Sequence, residues 1–167
     1  ALIQNEQELV VAAVISELQS PLERVRAQCL HTLSKIARPD TWHAITHDLL
    51  IDSSDEVAQT AWRTAVILCP ESERAELARV LCTQFGRGNN EVKLSLSSAL
   101  VSLGDAAHET LEKAAHSNLP EVRAHANATK QMVRNPDLAF SAALQRATRT
   151  AALTDAPMVD QSLVSGD

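Results

Sequence analysis

The chain has 167 residues, a formal net charge of −6, three cysteines and only 2% aromatic residues, with no tyrosine and four glycines. That length is one domain, the acidic balance argues against general nucleic-acid or anionic-membrane binding, and no apolar run is long enough to span a membrane. Cys29, Cys69 and Cys82 are odd in number and lack C-x-x-C spacing, which fits a reducing compartment better than a disulfide framework and, with no visible signal peptide, sets a cytoplasmic expectation.

Abundant alanine and leucine without strand-like alternation predict an all-helical chain, organised as four helix pairs and a ninth helix. The first helices of the pairs are predicted at about residues 4–18, 40–51, 71–85 and 105–116. Their apolar residues recur at spacings of three and four: Leu9, Ala13, Val14 and Leu18; Trp42, Ile45 and Leu49; Leu77, Leu81 and Phe85; Ala107, Leu111 and Ala115. Such spacing places them on one face of an α-helix.

The second helices share a word, V-x-x-x-[small]-x-x-[small]-[apolar]-x-x-[apolar]. Its anchors are Val25, Val57, Val92 and Val122, at intervals of 32, 35 and 30 residues. Position +4 holds Cys29, Ala61, Leu96 and Ala126, and position +7 holds Thr32, Thr64, Ala99 and Thr129. Position +8 holds Leu33, Ala65, Leu100 and Lys130, and position +11 holds Ile36, Leu68, Leu103 and Val133. Small residues along such a face let helices approach closely. Lys130 makes the fourth repeat the least regular. A period of this size signals stacked units.

Turn chemistry divides the helices. Ser20-Pro21-Leu22-Glu23 and Ser53-Ser54-Asp55-Glu56 read as capping boxes, the first with proline at the opening helical position. Asn118-Leu119-Pro120-Glu121 marks a third start. Gly104 occupies a left-handed C-cap position, with Asp105 as the next cap. Arg38-Pro39, Cys69-Pro70 and Asn135-Pro136 break helices. Residues 138–152 form the ninth helix, expected to cover an open end. Residues 154–167 read as a flexible tail or linker, and the start at Ala1 suggests flanking domains in a longer protein.

The dipeptides Val25-Arg26, Val92-Lys93 and Val122-Arg123, with turn acids Glu23, Asp55, Glu56, Glu91 and Glu121, resemble HEAT repeats over about residues 4–134. Val57-Ala58 departs from that pattern. The resemblance implies a right-handed α-α superhelix over residues 1–153, in repeats of about 4–37, 40–69, 71–103 and 105–134. It also implies that the second helices line a concave side. Acids outnumber bases on the first helices and bases outnumber acids on the second, so that side is expected to be mildly basic.

The expected function is therefore a non-catalytic scaffold that holds an acidic helix or tail of another protein. Its contact residues are Arg26, Gln28, His31, Lys35, Trp62, Arg63, Lys93, Arg123 and Lys130; Trp62 leads because tryptophan is enriched in binding hot spots. Nucleic acid is disfavoured by the sparse bases and aromatics. His43 and His47 stand at metal-binding spacing but lack the glutamate of the H-E-x-x-H motif. His108-Glu109 resembles one His-Glu pair of the HEAT-like di-iron hydroxylases, which need several. Gly86-Arg87-Gly88-Asn89-Asn90 reads as a turn. No catalytic, metal or cofactor residue is assigned. The alternatives are a small HEAT-like enzyme (glycosylase-like, bilin-lyase-like or metal-dependent) and a structural piece of a larger solenoid.

Overall fold

The computed structural model describes residues 2–137 and 140–155. Among them every regular element is helical. The helices are α1 (Leu2–Glu17), α2 (Glu23–Ile36), α3 (His47–Leu50), α4 (Asp55–Leu68), α5 (Arg74–Cys82), α6 (Asn90–Ser102), α7 (His108–Ala115), α8 (Pro120–Arg134) and α9 (Phe140–Thr154). The expected ninth helix is present from Phe140. Residues 138 and 139, and 156–167 of the expected tail, lie outside the described residues.

The valine-anchored helices α2, α4, α6 and α8 form one row, each packed on the next. The shorter helices α3, α5 and α7 likewise succeed one another in a second row. The repeated word is the reason for the first row. In α4 and α6 the anchor valine and positions +4, +7, +8 and +11 are all buried. Small side chains at these positions let the polar backbone of one helix serve the next: the Thr64 hydroxyl donates to Leu30 O at 3.0 Å. At the ends the pattern loosens, with Val25, Val122 and Ile36 half-buried and Val133 exposed. Lys130, the irregular residue, buries its stem and pairs with Glu112 of α7 at 2.8 Å, as long cationic side chains do on apolar surface.

α1 is continuous, but the first helices of the later three pairs begin in 3-10 turns. Residues 40–51 split into a 3-10 turn, Pro39–Ala44, and the single helical turn of α3. Thr46 adopts extended backbone between them, with Ile45 also outside the helical region, as suits two β-branched residues. The 3-10 turns Glu71–Glu73 and Gly104–Ala107 lead into α5 and α7 in the same way. Proline or glycine at each entry explains the shared tight first turn. Trp42, expected in the core, is only half-buried; its indole N–H donates to Glu73 at 2.8 Å and links two of these turns.

The turns also differ from the capping expectation. α2 starts at Glu23 after Leu22, so Ser20 is not its cap and Pro21 is not its first residue. Ser20 instead accepts the Leu22 N–H at 3.3 Å, and Ser117 accepts the Leu119 N–H at 3.2 Å in an equivalent turn. Proline does open α8, but Asn118 does not cap it. Ser54 and Asn89 are true caps, accepting from Val57 and Val92 at 3.5 and 3.1 Å. Gly104 has φ +60°, as its C-cap position requires, while Asp105 makes no capping bond.

α9 packs along α8 and buries Ala143, Ala147 and Ala151 against Ala124 and Ala128. It covers the end of the longer row.

Candidate functional site

Three arginines decide how much of the valine-anchored row is free. Arg26 follows Val25, and its guanidinium donates to Ser20 O at 2.8 Å and to both carboxylate oxygens of Asp52 at 3.1 and 3.2 Å. Arg123 follows Val122 and repeats the arrangement, donating to Ser117 O at 2.7 Å and to Asp155 at 2.8 Å. Arg87, in the turn before α6, reaches Asp55 at 2.8 Å, Gln84 at 3.0 Å and the Asp52 carbonyl, with its guanidinium 6.0 Å from the Trp62 ring centre. The arginine of the V-R word therefore ties a turn to a following acid.

This corrects four of the expected contact residues. Arg26, Arg123 and Lys130 spend their charge on Asp52, Asp155 and Glu112, with side chains less than a fifth exposed. Trp62 is 0% exposed, and its indole N–H donates to Leu50 O at 2.8 Å. Position +5 turns it inward, with its N–H on α3 of its own pair, so it is core.

Five expected residues remain. Gln28, His31 and Lys35 form an exposed stripe on α2 at successive turns, extended by Arg24. Arg63 is exposed on α4 and makes only long bonds to Gln59 O and Thr60, both 3.4 Å. Lys93 is half-buried on α6. The Thr64–Leu30 bond sets α2 and α4 side by side, and on α4 Arg63 and Ile67 stand one turn apart. Ile67 is 56% exposed and Leu94 on α6 is 39% exposed; neither was expected, because positions +10 and +2, which they hold, carry no repeated residue type. Glu56, Glu91 and Glu121, exposed at the helix starts, counter the bases there. The basic surface of this row is left on α2 and α4, at Arg24, Lys35 and Arg63.

The buried polar centre lies elsewhere. His125 is fully buried between α6 and α8. Its Nδ1 accepts the Gly86 N–H at 3.1 Å, so the ring proton is on Nε2, which faces Lys93 O at 2.9 Å and Ser97 Oγ at 3.0 Å. Ser97 and Thr129 share a hydrogen bond of 2.7 Å, and Thr129 donates to His125 O. Phe85 meets the imidazole edge-on at 4.7 Å, with Phe140 at 6.0 Å. Burial pushes the imidazole pKa down to about 4 against the Lys93 carbonyl bond, which favours the proton. Ser97 and His125 do not form a nucleophile and base: Nε2 already carries its proton, Nδ1 faces an amide rather than a carboxylate, and Ser97 is sealed from solvent.

The remaining candidates resolve as local structure. His43 Nδ1–H donates to Asp40 O on the 3-10 turn, while His47 opens α3 beyond the break, so they do not share a helix face. Glu109 pairs with Lys113 at 2.6 Å. Lys130 holds the Glu112 carboxyl below its ordinary range, and His116 bonds Glu112 O. Among the described residues no group of three or more His, Cys, Asp or Glu could hold a metal ion. The cysteines are free; burial lifts Cys82 to about 12 and Cys69 to about 11, and raises Cys29. No described helix is long and apolar enough to cross a membrane. Comparisons with protein-family models, with curated proteins and with solved structures gave no match.

Proposed function

We propose that the chain is a HEAT-like helical repeat module that binds another protein non-catalytically. It takes an acidic helix or tail on the exposed faces of α2 and α4. One observation carries the reading: Lys35 on α2 and Arg63 on α4 are exposed, the exposed Ile67 stands one turn beyond Arg63, and neither base is in an ion pair among the described residues. Bases left free near an apolar side chain suit a segment that alternates acids with an apolar anchor. The succession of α2, α4, α6 and α8, with α9 over its end, supports the HEAT-like superhelix.

The test is fluorescence anisotropy with a labelled amphipathic peptide carrying glutamates and one leucine face. Reversing Arg24, Lys35 and Arg63 to glutamate together weakens binding by at least about tenfold at low salt. Equal binding by both proteins at low and high salt rejects the surface.

A second reading rests on α1. Leu2, Ile3, Leu9 and Val10 are more than half exposed, and only Val11 is buried within the helix. A further helical layer over this face would make the chain part of a larger solenoid. That reading expects concentration-dependent association in light scattering; a monodisperse monomer at high concentration counts against it.

A further inference from the structure

A cleft of about 300 Å³ runs between α8 and α9. α8 lines it with Arg123, Asn127 and Gln131, and α9 with Thr150 and Thr154 beside two alanines. The repeat explains why the cleft exists. Arg123, Asn127 and Gln131 hold positions +1, +5 and +9 of their word. On the earlier helices position +5 is Leu30, Trp62 and Ser97, all fully buried. α9 instead seats on Ala124 and Ala128, one residue round the helix. The polar row beside them is left without a covering helix.

Two of these residues hold a buried polar atom with no partner among the described residues. Arg123 Nε is a donor and Gln131 Oε1 is an acceptor. An orphaned buried group costs about 1–3 kcal/mol. Turning a side chain by some 30° to meet a ligand costs about 0.5–1.5 kcal/mol. Recovery of both bonds therefore outweighs the rearrangement.

Charge and hydrogen-bonding capacity select the ligand. The Arg123 guanidinium is already neutralised by Asp155 and bonded to Ser117 O. The other polar walls are uncharged. Asn127 donates to Arg123 O and keeps its carbonyl oxygen free to accept, while Thr150 and Thr154 donate to backbone carbonyls and keep acceptor capacity. An anion would meet Asp155 and a row of acceptors; a cation would meet Arg123. A neutral group carrying both N–H and C=O fits both demands.

We propose that this cleft binds a peptide main chain, its C=O accepting from Arg123 Nε and its N–H donating to Gln131 Oε1. The site is separate from the α2/α4 surface and stands or falls without it.

The experiment titrates 15N-labelled protein with N-acetylglycine N-methylamide, a neutral peptide unit, and in parallel with N-acetylglycine, its carboxylate counterpart. Resonances of Arg123 Nε–H and of the Gln131 and Asn127 side-chain amides report binding. Saturable shifts with the diamide in the millimolar range are expected, with the carboxylate at least about tenfold weaker. Gln131→Leu and Asn127→Leu, each with native chemical-shift dispersion elsewhere, are expected to weaken the diamide by a similar factor. The proposal is overturned if these resonances do not saturate, if the carboxylate binds as well, or if both leucine variants bind unchanged.

Discussion

His125 offers the sharpest physical test, because its burial links stability to pH over a range in which few other groups titrate. Its pKa is about 4 in the folded protein against an ordinary 6.5. The unfolded chain therefore binds the extra proton first as pH falls. Stability is complete above about pH 6.5, declines through the interval and is lost to its full extent below about pH 4. At about 1.4 kcal/mol per pKa unit, the whole loss is about 3 kcal/mol, with about 2 kcal/mol already gone at pH 5. The structural cause is specific: a protonated ring would turn a second N–H against the Gly86 N–H that Nδ1 now accepts. Urea unfolding followed by circular dichroism at half-unit pH steps measures the effect. His125→Gln serves as the reference, since its amide can accept and donate but does not titrate. The wild-type minus variant difference should shrink by about 3 kcal/mol from pH 7 to pH 4. Subtraction removes the contribution of paired carboxylates such as Glu112, common to both proteins. Parallel curves for the two proteins across that interval would refute the neutral buried histidine.

Three further outcomes follow from named contacts. Asp52→Ala removes the carboxylate that receives Arg26 and the Ser54 N–H, leaving a cation about four-fifths buried; a loss of about 2–3 kcal/mol in urea unfolding is expected. Trp62→Phe strands the Leu50 carbonyl and opens space in the core, costing about 3 kcal/mol while leaving peptide binding at α2 and α4 unchanged once folded; a selective binding defect would contradict its assignment to the core. Gly88 has φ +71°, and an added Cβ would sit 2.7 Å from Val92 Cβ, so Gly88→Ala should lower the melting temperature more than Gly104→Ala, whose Cβ meets nothing within 4 Å.

The valine-led word was legible as helices and as a buried face because periodicity and residue size are local properties of a chain. Val57, Ala61, Thr64, Ala65 and Leu68 needed no coordinates to be read as one stripe, and the prolines at 39, 70 and 136 marked breaks where helices end. The destinations of long side chains were not legible. Arg26 and Arg24 are alike in composition and nearly adjacent, yet one is locked on Asp52 and the other is exposed. That difference depends on a partner 26 residues away, a distance that only packing closes. Trp62 and His125 were hidden for the same reason: whether a ring at +5 or +3 meets solvent depends on the neighbouring helix. α9 was visible as a helix, but its seat on Ala124 and Ala128, and hence the polar cleft beside it, came from the way small residues of two helices fit together. Sequence determined which segments coil and which stripe each buries, since those follow from local sterics and hydrophobic spacing. Tertiary structure alone decided which charges remain free for a partner, since pairing and burial are set by contacts between elements far apart in the chain.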